Sequence, residues 1–160
     1  MGLSESKQKY FKMEQDKWRF MGGDLAEGAY NMAEDMACLQ SCEQGFSPPT
    51  VKLYGWKKPT LTIGYSQQPS KLINLEKARQ LGIPIIRRPT GGRVLLHCEE
   101  LTYSLIAPNN HPLLGGDLKS SMCVISEMLT NCLVKLGCSR DDIQFALPSK
   151  SGNQSGPACF

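Results

Sequence analysis

A chain of 160 residues with 41% hydrophobic and 21% charged residues has the balance of a soluble globular protein of about one domain. Its net charge of +3 is too small to argue for nucleic acid as a partner. No apolar run approaches the roughly 18 residues of a membrane helix, and the polar N-terminus has no apolar signal-peptide core.

In chain order, residues 1–17 are polar and patternless and read as a flexible lead-in to a domain over 18–160. Their opening MGLSES fits the myristoylation pattern through Gly2 and Ser6, a short motif that chance often produces. Asp24 followed by Glu27 resembles a capping box, and Ala26, Ala29, Ala33, Met36 and Ala37 recur at helical spacing, which predicts a helix over 25–43 stopped by Gly45. Thr50–Trp56 and Thr60–Tyr65 alternate like strands around Lys57, Lys58 and Pro59 and predict a hairpin. Leu72, Leu75, Ala78 and Leu81 mark a short helix ended by Gly82, and Ile83–Arg87 reads as a strand. Val94–His97 and Leu101–Ala107 predict a second hairpin across a tight Cys98-Glu99-Glu100 link. Asp117 caps a long helix whose apolar residues run to Leu136, with Gly137 as its stop. Ile143–Leu147 is followed by a Gly/Ser/Pro-rich loop, PSKSGNQSGPACF. Helices mixed with prominent hairpins give an α+β class with a largely antiparallel or mixed sheet flanked by helices.

Seven cysteines, odd in number and without a CxxC pair, do not form a disulfide framework and indicate reduced thiols in the cytoplasm. Cys38 and Cys42 stand four apart on a helix, but no second Cys/His pair accompanies them, so no metal site is expected.

The densest cluster of chemistry is RRPTGGRVLLHCEELTYS, residues 87–104. Gly91 and Gly92 let a backbone adopt positive φ and approach a ligand closely, and successive N–H groups in such a turn form an anion- or carbonyl-binding nest. Arg88 and Arg93 would add charge-assisted hydrogen bonds. The plainer reading is a glycine hairpin turn with solvated arginines, and no Walker loop is present.

Beyond this segment, WRF at 18–20, NMAEDMA at 31–37, PTVKLYGWKKPTLTIGYSQ at 49–67 and PACF at 157–160 follow in an order that resembles the catalytic domain of biotin and lipoate protein ligases and octanoyltransferases. The resemblance implies a class II aminoacyl-tRNA synthetase/biotin synthetase-like fold. It implies that Arg88, Thr90, Gly91, Gly92 and Arg93 hold the head of a fatty acyl chain whose tail lies between sheet and helices. His97 closes the motif, at a position that fits either a core residue or a pocket wall. Asn31 and Met32 match the family's helix near the acyl site, and Tyr54 and Trp56 read as core.

Within the family, ligases activate a free acid with ATP, whereas octanoyltransferases take a thioester from acyl carrier protein. Cys159 looks like the nucleophile of the octanoyltransferase branch, which passes octanoyl to a lysine of a lipoyl domain of the glycine cleavage H protein type. No bound cofactor, nucleic acid or membrane is expected to take part. The lysine that lowers the thiol's pKa in the family lies downstream of the cysteine, in a segment that has no counterpart before Phe160. The fold is therefore expected to be incomplete, the N-terminal part of such a domain, with little transferase activity of its own. An ATP-dependent lipoate ligase and a non-catalytic acyl-binding remnant are the competing readings.

Overall fold

The computed structural model describes residues 17–144, which form two compact units, one ending at Ala107 and the other beginning at Pro108. The first unit holds two three-stranded sheets. Sheet A has the order β1-β2-β6, from strands Arg19–Ala26, Thr50–Trp56 and Thr102–Ile106. Sheet B has the order β4-β3-β5, from Ile85–Arg87, Thr60–Ile63 and Leu95–His97. Each sheet is mixed, with its central strand parallel to one neighbour and antiparallel to the other. The class is α+β with mixed sheets, as the sequence predicts.

Helix α1, Gly28–Glu43, covers one face of sheet A. Along β2, Thr50, Lys52, Tyr54 and Trp56 are buried while Val51 and Leu53 are half-buried, the period-2 alternation of a strand with one covered face. Met32 joins Tyr54 and Trp56 in one core cluster, and Cys38 and Cys42 join Ile106 in another.

The predicted helix start is displaced. Asp24 belongs to β1, in an irregular stretch between Gly22 and Leu25 where the register with β2 shifts. A side chain at Gly23 would come within 2.9 Å of the Leu53 carbonyl, so β1 lies too close to β2 there for anything larger. Helix α1 starts instead after Glu27, whose side chain makes no capping bond. Gly28 lets its first turn press on Trp56, Thr60 and Ile86, each within 2.9 Å of where a Cβ would stand.

Both predicted hairpins are corrected. Strands β2 and β3 follow one another across Lys57–Pro59, yet β2 uses both edges on β1 and β6, and β3 uses both on β4 and β5. Strands β5 and β6 likewise pair with β3 and β2 and not with each other. The link between them turns on Glu99, which at φ 51° is the one non-glycine residue with positive φ among the described residues.

The remaining elements stand near their predicted places. A 3₁₀ turn at Pro69–Lys71 precedes helix α2, Leu75–Gln80, capped by the Asn74 side chain accepting from the Lys77 N–H at 2.9 Å. In the second unit Asp117 accepts from the Ser120 N–H at 3.0 Å and opens helix α3, Leu118–Lys135. Gly137, at φ +103°, ends it as expected. His111 is buried in the loop before it, and its Nδ1 accepts the N–H groups of Leu113 and Leu114, both at 3.2 Å. Among the described residues no helix is long and apolar enough to cross a membrane.

Candidate functional site

The two adjacent arginines at the end of β4 do different work. Arg87 turns one Nη toward the carbonyls of Gly64, Tyr65 and Gln67 at 2.6 to 2.9 Å and fixes the loop after β3. Arg88 turns inward. One Nη donates to the Thr62 hydroxyl at 2.5 Å and, at 3.3 Å, to the Thr62 carbonyl; the other donates to the carbonyls of Gly91 at 3.2 Å and Arg93 at 2.6 Å. The 88–93 bend is thus folded around the guanidinium of its own first residue. Partial burial draws the pKa of Arg88 below its ordinary value, and the four acceptors keep the half-buried cation solvated by protein.

The glycines of the bend are needed for space. Gly92 sits at φ +95°, and a Cβ on Gly64 would stand 2.2 Å from the Gly92 carbonyl oxygen. The Tyr65 N–H donates to the Thr90 carbonyl at 2.9 Å, so the bend and the 64–67 loop form one unit.

From Thr62 the hydrogen bonds continue into His97. The Thr62 hydroxyl, which accepts from Arg88, lies 2.7 Å from His97 Nε2. The other ring nitrogen, Nδ1, donates to Glu100 Oε1 at 2.5 Å, since a carboxylate oxygen accepts. Trp56 lies flat on the imidazole and donates its indole N–H to Thr102 at 2.8 Å, and Thr102 donates to the same Glu100 oxygen at 2.9 Å. Two chains of donors therefore converge on one carboxylate oxygen.

These groups bound a cavity of about 560 Å³, within the roughly 300–1,000 Å³ of small-molecule sites. Met32, Met36 and Leu39 of α1 form one wall, and Tyr54, Trp56 and Leu95 contribute apolar surface. Residues 102–106 line it in succession, so the cavity follows β6, whose one partner among the described strands is β2. Pro89, Thr90, Glu100 and Leu101 line it and are exposed, which places the rim at this end.

A polar cluster sits in the α1 wall. Asp35 accepts from Lys52 at 2.9 Å, from the Tyr54 hydroxyl at 3.2 Å and from Ser104 at 2.7 Å. Lys52, only 1% exposed, also pairs with Glu34 at 2.8 Å. Burial alone would lower its pKa; the hydrogen bonds it donates to Glu34 and Asp35 outweigh that and hold the ammonium above the ordinary lysine value. Burial, reinforced by the Asp35 charge, pushes the Tyr54 phenol well up.

Of the residues read from the sequence, Arg88, Thr90 and His97 meet at the cavity wall. Gly91 and Gly92 shape the bend beside it, and Arg93 accepts through its carbonyl while its side chain is half-buried outside the lining. Cys159 lies outside the described residues. Asn31 is buried and donates to the Gly55 carbonyl at 3.0 Å, bracing β2 against α1. Thr62, Glu100, Asp35 and Lys52 were not legible as site residues. A lysine on the buried side of a strand pattern, four residues before a tryptophan, was the one available hint of a covered polar cluster.

The family described as lipoyl protein ligase A/B catalytic domain matches residues 27–145. The chain belongs to this family. The matched span contains the Arg-Gly bend, the donor chains and every residue lining the cavity. Among relatives of this lipoyl-ligase-type domain, the octanoyltransferase LipM of Kyrpidia tusciae is 41% identical over 148 residues, 89% of this chain and 53% of the relative. The LipM of Bacillus subtilis is 39% identical over 136 residues, 85% of this chain and 48% of the relative. The chain thus spans about half the length of the curated relatives it matches. A crystal structure of lipoate-protein ligase A bound with ATP superposes with a TM-score of 0.65 at 26% identity, over 76% of this chain and 47% of that one.

Proposed function

We propose that this chain, which spans about half the length of its curated relatives, carries the acyl site of an octanoyltransferase of protein lipoylation that acts in the cytoplasm, with little complete transfer expected of this chain alone. It takes octanoyl from acyl carrier protein onto Cys159 and hands it to a lysine of a lipoyl domain of the glycine cleavage H protein type. The observation that carries this reading is the cavity along β6, with apolar walls and the Arg88–Arg93 bend at its rim. Identity to two octanoyltransferases across most of the chain supports the branch, and the six described cysteines, all free thiols, suit a reducing compartment.

The chemistry asked of the site is two acyl exchanges. The Cys159 thiolate attacks the carrier thioester; a new C–S bond forms, the old one breaks, and the carrier's thiolate leaves and takes a proton. The acceptor amine then attacks the cysteine thioester; a C–N bond forms, the C–S bond breaks, and the sulfur recovers a proton from the amine. Thr90, Gly91, Gly92 and Arg93 are the proposed holders of the acyl head, with backbone N–H groups of the bend facing the carbonyl oxygen. Arg88 and His97 hold that bend and wall in shape.

Similarity to the ATP-bound lipoate-protein ligase A supports one other reading, a ligase that activates a free acid. Incubation with octanoyl carrier protein, and separately with lipoate and ATP, separates the two. Octanoyl on Cys159 without pyrophosphate release supports the transferase; pyrophosphate release dependent on lipoate supports the ligase.

A further inference from the structure

Glu100 stands out among the groups at the cavity rim. Its Oε1 receives both donor chains, one through Arg88, Thr62 and His97 and one through Trp56 and Thr102. Its Oε2 takes no hydrogen bond from any described residue, and the side chain is 40% exposed. The donors that reach it are an imidazole and a hydroxyl. The Arg88 cation is spent on Thr62 and three backbone carbonyls. The second carboxylate oxygen is thus left open at the rim, with no lysine or arginine of the described residues bonded to it.

Holding the 98–101 link would need only a hydrogen-bond acceptor, which a glutamine or an asparagine supplies. The chain instead places a carboxylate there, behind the one non-glycine residue in the left-handed region, Glu99. Backbone in that region costs free energy and is retained where the surroundings fix it. One oxygen is locked, and the other is left at the same rim as Thr90, where the acyl head is to be held.

We propose that Glu100 forms a subsite for a primary alkylammonium ion, the side chain of the acceptor lysine, docking it beside the acyl head before transfer. This rests on the acyl-site reading above and adds to it a second ligand. A compact ammonium with three donors suits a single open carboxylate oxygen better than a guanidinium, which binds both oxygens at once.

The test uses the full chain and two small probes, Nα-acetyl-lysine amide and its uncharged analogue Nα-acetyl-norleucine amide, with affinities read by NMR titration. The lysine probe is expected to bind at least tenfold more tightly than the norleucine probe. Glu100→Gln, which keeps an acceptor for His97 and Thr102, is expected to erase that preference. Equal affinities in the unmodified chain, or a preference that survives Glu100→Gln, would overturn the proposal. The comparison of probes in the unmodified chain stands even if the variant folds poorly. Octanoate binding to the unmodified chain is read separately. Its absence would sink the acyl-site reading, whereas octanoate binding without a lysine preference would sink this inference alone.

Discussion

Trp56 lies against His97 with ring centroids 3.9 Å apart and planes inclined by only 15°. Trp56 ends β2 of sheet A and His97 ends β5 of sheet B, so this stack joins the two sheets at the head of the cavity. The same indole braces Thr102 at the start of β6. Replacing Trp56 with alanine removes the stack, the N–H donor and a cavity wall together. It is expected to cost about 3–5 kcal/mol in urea unfolding, whereas Trp56→Phe, which loses chiefly the indole donor and some volume, should cost about 1–2 kcal/mol.

Gly64→Ala probes the bend without touching an arginine. Its Cβ would meet backbone, the Gly92 carbonyl at 2.2 Å, so the 89–93 segment must move. The expected penalty is about 1–3 kcal/mol, with a loss of octanoate affinity of tenfold or more. Calorimetric titration with octanoate checks it; unchanged affinity would show that the bend does not hold the acyl head.

Arg88→Lys keeps the charge but not the fork. One ammonium does not reach Thr62, Gly91 and Arg93 together. Amide hydrogen exchange is expected to speed up at least tenfold across 89–93, with little change in β1 or α1.

Removing the Lys52 ammonium leaves Asp35 half-buried with only two hydroxyl donors. Lys52→Met is expected to destabilise by about 3 kcal/mol or more. Glu34→Gln should cost about 1 kcal/mol or less, since the Glu34 carboxylate is 28% exposed. Urea titration of the two variants checks the order; equal penalties would contradict it.

The second unit should weaken in acid. Burial holds the His111 pKa below its ordinary value, and its Nδ1 is already an acceptor for two N–H groups. The unfolded chain takes up a proton near pH 6.5 and the folded chain only at lower pH. The stability His111 contributes is therefore complete above about pH 6.5 and is lost as pH falls through its depressed folded value. Hydrogen exchange over 108–117 is expected to accelerate between pH 7 and pH 5 once corrected for intrinsic rates, and His111→Gln should flatten that dependence.

The parts of this molecule that follow from local pattern were legible in its sequence. Asp117 and Gly137 frame α3 through capping chemistry that needs no tertiary partner. Strand positions showed in the alternation of Thr50–Trp56. Pairing did not, because alternation tells which face is covered and not which strand lies alongside; both hairpins read from adjacency were therefore misassigned. Asp24 looked like a cap because Asp and Glu at that spacing suit a helix start, but β2 claimed the segment as a parallel neighbour. At the site, Arg88, Thr90 and His97 announced themselves as a motif. Thr62 and Glu100 did not, since a threonine in a strand and a glutamate in a tight link acquire meaning only when folding brings His97 between them.

The account stands most directly on the mass of the intact chain after incubation with octanoyl carrier protein. It predicts a single octanoyl adduct on the unmodified chain that is absent from Cys159→Ala. No adduct, or one that persists undiminished in Cys159→Ala, would contradict it.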